Sequence, residues 1–222
     1  MTKTFKILST ISFIAMAIVL TFVGVWAITD LDFAVGGDIT YTAPVPETKD
    51  ESEYPTLTFT ITGDTTCEVV DNGASGVLVI PSKVLIASKE YIVTTFGEGE
   101  MYEPGINGAF AGNANLTSVE IPDTITSIGE YDFYSCSNLF GGITSVTIGS
   151  GITSIGNHSF YLSQSLSEVN IKATSVPTGG SNMFDNCSSS LVIYVPTASV
   201  DAYKSAEGWG DYADKIQGKD FN

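Results

Sequence analysis

The amino-acid sequence predicts a β-rich repeat solenoid. Parallel β ladders are joined by short helical turns, with a β-hairpin cap at the N-terminal end and a short helical cap at the C-terminal end. Three observations carry this. Phenylalanine recurs at Phe110, Phe133, Phe160 and Phe184, spaced by 23, 27 and 24 residues, and a period in the twenties marks stacked coils. A β-branched pair comes after each Phe, as Val119/Ile121, Val146/Ile148, Val169/Ile171 and Ile193/Val195; alternation of period two reads as a half-buried strand. A second apolar pair, Ile125/Ile128 and Ile152/Ile155, closes on Gly129 or Gly156 and predicts a second ladder.

One unit is too short to bury its own apolar face, so neighbours must stack. The Phe is expected on a short helical turn that fills the core between the ladders. Three residues after it stands Asn113, Cys136, Ser163 or Cys187, small polar groups able to bond backbone that would otherwise be buried unpaired. Six residues after it stands Leu116, Leu139 or Leu166, with Ser190 and then Leu191 in the last copy. The longer second spacing of 27 residues reads as a four-residue insertion, Phe140 to Ile143.

The run from Ile121 to Gly129, Ile-Pro-Asp-Thr-Ile-Thr-Ser-Ile-Gly, is succeeded by Phe-Tyr-Ser-Cys-Ser-Asn-Leu from Phe133 to Leu139. Together they resemble the BspA-like leucine-rich repeat family of bacterial and protist cell-surface proteins. The resemblance spans residues 57–217, and the run from Tyr194 to Ile216 is similar to the closing cap of such proteins. It implies leucine-rich-repeat-like ladders, surface display, and protein binding or adhesion, with no catalytic motif to carry over. The Ala that precedes Phe110 becomes Asp132, Ser159 and Met183 in later copies, which are therefore expected to pack less regularly.

The formal net charge is −16, and all nine basic residues are lysines. A nucleic-acid binder needs a basic footprint, so that partner class is excluded. Three cysteines are few for an exported chain. Cys136 and Cys187 hold equivalent positions two coils apart, about 10 Å at the strand spacing, beyond the ~7 Å reach of a disulfide. Both are expected to be buried free thiols, and Cys67 has no evident partner. The one histidine, His158, precedes Phe160 in a turn and makes a Ser-His hydrolase untenable. One His with three scattered Cys forms no tetrahedral zinc site, and no phosphate loop is present. No cofactor, metal or catalytic residue is assigned.

Residues 1–27 read as an export signal. Lys3 and Lys6 precede an apolar run from Ile7 to Val25, and Val25-Trp26-Ala27 offers small residues for cleavage after Ala27. The run is also long enough to serve as an uncleaved anchor. Either reading places the chain beyond Ile28 outside the cytoplasm. Residues 28–55 are a β-prone segment and a Pro-rich acidic linker, which disfavours a packed core. Residues 56–109 are the N-terminal cap and first repeat. Strands at Leu57–Ile61 and Cys67–Val70 come first, then a hairpin from Val84 to Val93 expected to cover the open edge of the first coil. The repeats fill 110–195. Residues 196–222 form a C-terminal cap in which Trp209 packs as part of a lid.

Within 56–109, residues 97–108 form an inserted loop, and such insertions are frequent binding elements. Its Glu98, Glu100, Met101, Tyr102 and Glu103 are candidate partner contacts. So is the outward ladder Glu120, Thr147, Asn170 and Tyr194 on the main strand. The sequence thus points to a secreted or surface-displayed protein-binding module contacting a host or neighbouring-cell protein. The alternative is an envelope or matrix component that self-associates. Membrane contact would come only through an uncleaved N-terminal segment. A carbohydrate-binding reading would need an aromatic platform, available at Tyr194 and Trp209.

Overall fold

The computed structural model describes residues 2–5, 39–42, 48–54, 56–99 and 102–221. It divides into two compact units, 1–47 and 48–222. In the first, β1 (Thr2–Phe5) and β2 (Ile39–Thr42) pair antiparallel; the apolar leader run and its cleavage position lie outside the described residues. No helix among the described residues is long and apolar enough to cross a membrane. Every described core side chain lies in the second unit, from Leu57 to Ile216. That unit therefore carries a core of its own.

The second unit is a β solenoid. β3 (Leu57–Ile61) and β4 (Thr66–Asp71) form an antiparallel pair. β5 (Gly76–Val79), β6 (Lys83–Ile86) and β7 (Lys89–Phe96) come next. The repeats then contribute β8 (Leu116–Ile121), β9 (Ser127–Ile128), β10 (Ser137–Asn138), β11 (Gly141–Gly142), β12 (Ser145–Ile148), β13 (Ser154–Ile155), β14 (Glu168–Ile171) and β15 (Thr178–Gly179). β16 (Val192–Pro196), helix α1 (Val200–Ser205) and β17 (Ile216–Lys219) close the chain.

Two ladders run along the solenoid. The main sheet has the order β17-β16-β14-β12-β8-β5, and the second β15-β13-β9-β7-β4-β3. Registry from β8 to β16 is strict: Val119, Val146, Val169 and Ile193 face one another across successive parallel strands, and all are buried. The second ladder is set by Ser127–Ile128 and Ser154–Ile155, paired in register. Both expected ladders are present.

Between them runs a stack of phenylalanines. Phe110, Phe133, Phe160 and Phe184 lie 5.1, 5.2 and 5.3 Å apart by ring centroid, at interplanar angles of 5°, 5° and 12°. The changes before Phe from Ala109 to Asp132, Ser159 and Met183 thus leave the stack regular, contrary to the sequence expectation, because those positions lie beside the ring column and not in it. Phe96 meets Phe110 and Phe133 edge-on at one end. Trp209 and Tyr212 meet Phe184 at the other. Stacked and edge-to-face pairs of this kind each add about 0.5–1.5 kcal/mol beyond area burial.

The residue three after each Phe does what its chemistry suggested. The Cys136 thiol donates to the Phe110 carbonyl at 3.1 Å, the Ser163 hydroxyl to Phe133 at 2.9 Å and the Cys187 thiol to Phe160 at 3.2 Å. Each side chain ties its own coil to the coil before it. All three cysteines are free, Cys67 and Cys136 buried and Cys187 only half-buried. Cys187 falls short of the buried position expected because it stands in the last Phe turn, beside the end of the stack. Burial pushes the Cys67 thiol up to about 11 and the Cys187 thiol to about 12, so both are protonated and unreactive.

Three local assignments differ from the sequence reading. Ile143, not Leu139, takes the core position before β12: Ile143 is fully buried and Leu139 is 98% exposed. The reason is distance from the strand, since Leu116, Ile143 and Leu166 all stand three residues before Val119, Val146 and Val169. The excursion therefore comprises Leu139 to Gly142. Next, the β6–β7 hairpin does not cover the first edge; β7 is itself a rung of the second ladder, and β4 with β3 extends past it. Finally, Ile216 opens β17, which pairs parallel with β16, so the cap expected to be helical also adds a strand.

Of the stretch read as spacer, residues 48–54 pack on the cap. Asp50 bridges to Leu85, the Thr48 hydroxyl donates to Glu90, and Tyr54 meets Phe59 edge-on. The C-terminal cap satisfies the last coil: the Tyr203 hydroxyl donates to Ala173 O at 2.9 Å and the Trp209 indole to Pro177 O at 2.8 Å. Trp209 is fully buried, as a lid residue should be.

Truncating a ring in the middle of the stack should be far costlier than truncating at the surface. Phe133→Ala is expected to destabilise residues 48–222 by about 3–5 kcal/mol, read as a fall in the urea midpoint without change of slope.

Candidate interaction surface

The turns around Phe133, Phe160 and Phe184 use left-handed backbone twice, and that around Phe110 once. Two residues before it stand Tyr131 (φ 62°), His158 (φ 53°) and Asn182 (φ 56°); two after it stand Gly112 (φ 74°), Ser135 (φ 52°), Leu162 (φ 62°) and Asn186 (φ 57°). This conformation costs a non-glycine residue roughly 1–2 kcal/mol. It also turns amide groups along the solenoid axis. Tyr131 N, Phe133 N and Ser135 N donate to Asn157 O, Ser159 O and Tyr161 O of the next coil, at 3.2, 2.8 and 2.8 Å. His158, Phe160 and Leu162 repeat this onto Ser181, Met183 and Asp185. The turns are thereby a third hydrogen-bonded ladder.

On that ladder the residues two before and one after each Phe project outward, and in the two central coils they are aromatic. Tyr131 stacks on His158 at 5.3 Å and 17°. Tyr134 stacks on Tyr161 at 5.9 Å and 14°. Within each coil the two rings meet edge to face, Tyr131 with Tyr134 at 5.6 Å and His158 with Tyr161 at 5.3 Å. Tyr102 joins from the inserted loop, 6.1 Å from Tyr134. The five rings form one continuous strip, Tyr102 exposed and the other four half-buried.

The loop is held in a narrow turn. Gly99 N donates to Asn107 O and Tyr102 N to Ile106 O, while Ile106 N returns to Glu103 O. Tyr102 lies flat against Gly112, where a Cβ would come within 2.2 Å of the ring. Gly112 is needed there both for its positive φ and for that approach. Glu103 stands at the strip's margin; burial and then the Glu103 charge raise the Tyr134 phenol above its ordinary value. Glu98 is exposed on the same loop, and Glu100 and Met101 lie outside the described residues.

Beneath the strip, Asp132 is 4% exposed. Its carboxylate accepts from Gly129 N and Ala109 N, linking two coils. Burial pushes its pKa up to about 6, against the lowering effect of those two bonds. Beside it in the next coil, Ser159 Oγ and His158 Nδ1 are buried without a hydrogen-bond partner.

The main-strand candidates lie on a different face. Glu120, Thr147, Asn170 and Tyr194 are in register, but β17 changes what they offer. Lys219 on β17 donates to Asn170 at 2.6 Å, pairs with Glu168 at 3.5 Å and sits 4.8 Å over the Tyr194 ring. Asn170 is buried as a result, and Glu120 and Thr147 line a shallow polar depression with Lys172, Lys219 and Phe221. With Trp209 buried and Tyr194 under Lys219, the carbohydrate platform considered from sequence does not form. Among the described residues no group of His, Cys, Asp and Glu could hold a metal ion.

The aromatic strip was missed in the sequence, although its signal was there. Tyr131, Tyr134, His158 and Tyr161 keep fixed offsets from Phe133 and Phe160, so a stacked ladder had to place them together.

Residues 106–206 match the BspA type leucine rich repeat region, in six copies. This stretch belongs to the BspA-type leucine-rich repeat family. The family's fold is in general one of protein interaction and not of catalysis. Two solved structures are similar. One is a leucine-rich repeat protein from Bacteroides ovatus ATCC 8483, at 22% identity and TM-score 0.44, covering 64% of this chain and 37% of that one. The other is a leucine rich cell surface protein from Faecalibacterium prausnitzii A2-165, at 22% identity and TM-score 0.45, covering 74% and 45%. The present chain thus spans less than half the length of either. No curated protein matches the chain.

Asp132 gives the repeat region a distinct pH dependence. A carboxyl whose folded pKa lies above its unfolded value holds its proton more tightly in the native state. The stability it contributes is full below the unfolded value of 3.8 and is lost as pH rises through about 6. Residues 48–222 are expected to be more stable at pH 4 than at pH 7 by about 2 kcal/mol from this group. Asp132→Asn should flatten that slope in denaturant titrations across pH, whereas general relief of acidic repulsion would leave the slope in place.

Proposed function

We propose that this chain is a secreted or surface-displayed protein-binding module whose contact surface is the strip of Tyr102, Tyr131, Tyr134, His158 and Tyr161. The observation that carries the reading is the strip itself: five rings in mutual contact, held on a hydrogen-bonded backbone and left partly open. Tyrosine offers a large amphipathic contact at low entropic cost and is enriched among interface hot spots. Here the cost of ordering the rings is met by folding, which favours a preformed contact.

Two of the left-handed residues, Tyr131 and His158, are in the strip, and strained backbone clusters at binding sites. The inserted loop supplies Tyr102 and an acidic margin of Glu98 and Glu103, with Glu100 and Met101 in the same loop. A protein whose apolar patch carries Lys or Arg at its rim would fit this arrangement. Glu120 and Thr147 offer a second, smaller contact area. The family membership of the repeats is consistent with this reading, and adhesion to a host or neighbouring cell is its natural setting.

The test is quantitative binding of residues 48–222 to proteins captured from cell-surface and matrix extracts, then purified. Tyr134→Ala with Tyr161→Ala is expected to weaken a genuine partner at least tenfold, about 1.4 kcal/mol or more, with the urea midpoint lowered only modestly. Undiminished affinity in that double variant would sink the assignment.

A further inference from the structure

The excursion that displaced Leu139 from the core ends in an unusual feature. β10 and β11 form a small hairpin whose tip is Leu139–Phe140, and these side chains are 98% and 97% exposed. The hairpin is anchored. Asn138 Oδ1 accepts from Phe140 N at 2.7 Å, and Ile143 N donates to Cys136 O. The Ser137 hydroxyl donates to Leu162 O at 3.1 Å and accepts from Gln164 N at 2.9 Å, binding the base to the next coil. Serine or asparagine at the tip would satisfy the same backbone, so the fold does not require two large apolar residues there. Contiguous exposed apolar surface of this kind marks a contact.

The second observation is where the charge is not. In a chain of net charge −16, the sequence from Phe133 to Ser167 contains no Asp, Glu, Lys or Arg. The same holds from Ala111 to Val119 and from Asn186 to Val200. The edge of the solenoid that carries the hairpin, where each Phe turn leads into its main strand, is therefore a band rich in Ser, Asn, Gln and Thr, with Asp71 bonded to Asn113 at its first coil. Two copies of so acidic a chain repel one another. This band is where they can meet without apposing like charges.

We propose that the Leu139–Phe140 tip and the neutral band around it form a self-association surface, occupied by a second copy of this chain across a two-fold axis. A two-fold contact uses the same patch on both partners and needs that patch to be self-complementary. An apolar tip flanked by groups that both donate and accept hydrogen bonds meets this requirement; an acidic patch does not. The contact is small, so the dimer is weak and forms at high local concentration, as on a crowded surface. It goes beyond the protein-binding reading and uses different residues, so either can fail alone.

The experiment is sedimentation velocity of residues 48–222 from about 1 to about 200 µM, the range where a small interface associates. The wild type is expected to shift from monomer to dimer across the range. Leu139→Ser with Phe140→Ser should remain monomeric with an unchanged urea midpoint, since both side chains are already in solvent. Gln164→Glu should weaken the dimer about tenfold at low salt and recover it at high salt, because it places like charges beside the tip. Tyr134→Ala with Tyr161→Ala should leave association unchanged. A wild type that stays monomeric throughout overturns the proposal, as does a dimer indifferent to the tip variant. So does a monomer that co-floats with phosphatidylcholine vesicles through Leu139 and Phe140, which would assign the tip to a lipid surface.

Discussion

The structure depends on one repeat distance. Parallel strands lie about 4.8 Å apart, and the Phe column keeps pace with rings 5.1 to 5.3 Å apart. Stacked rings tolerate this spacing with a slight offset, so the aromatic column and the strand ladders extend together without strain between them. Everything else in the coil serves that common spacing. Cys136, Ser163 and Cys187 bond back to the Phe carbonyl of the preceding coil, which prevents the turn from drifting relative to the strand. The last coil has no successor, and there the cap substitutes for one. Phe184 N, whose counterparts donate to the next coil's carbonyl, donates instead to the Tyr212 hydroxyl at 3.1 Å, and that hydroxyl donates to Asp185.

The left-handed turns arise from the same distance. A helical turn of ordinary geometry would direct its amides within the coil. Flipping residues in the turn directs them to the neighbouring coil, and one cross-coil bond at each flipped residue that has a following coil offsets the backbone cost there. The chain uses Gly112 and Asn186 at the ends of the stack, where this conformation is easiest, and keeps Tyr131, His158 and Leu162 in the middle. The surface strip is a consequence. Residues at one offset from successive Phe are stacked at the ladder spacing whatever they are; when they are aromatic, they become a preordered contact surface.

How much of this was legible in the sequence depended on whether a residue's position is set by the repeat. The Phe column, both strand ladders and the polar residue after each Phe could be read because periodicity alone fixes them, and the lid role of Trp209 because the last coil must be covered. Leu139 was misread because counting began at the Phe, whereas an insertion between turn and strand is located only by counting back from the strand, which selects Ile143. β17 carries a single buried residue, Ile216, and its pairing comes from the open edge of β16, not from its own pattern. It therefore left no periodic trace, and the burial of Asn170 beneath Lys219 was hidden with it. The strip was periodic, yet of its repeat residues only His158 was weighed, as a turn residue, and its aromatic neighbours were not. Tyr102 could not have been placed by any repeat, since only Gly112, lacking a side chain, makes room for it.

The uneven charge has a physical origin in the ladder. A residue repeated at the same offset stands about 5 Å from its counterparts in the coils on either side, and like charges at that distance repel by roughly 1 kcal/mol even in water. A central coil has two such neighbours, so charge is most costly there, and Ser, Thr and Asn, which can bond along the axis, take its place. The Thr144 hydroxyl donates to Thr117 O and the Thr153 hydroxyl to Thr126 O in this way. Asp132 is the exception in the interior: a single acid, not repeated in the coils beside it, held by two amides. The neutrality of the band thus has a cause in stability before it has any in recognition. Leu139 and Phe140 do not share that cause. They stand off the ladder, touch no counterpart in a neighbouring coil and contribute nothing to the spacing, so neutrality accounts for the band but not for the apolar tip at its centre.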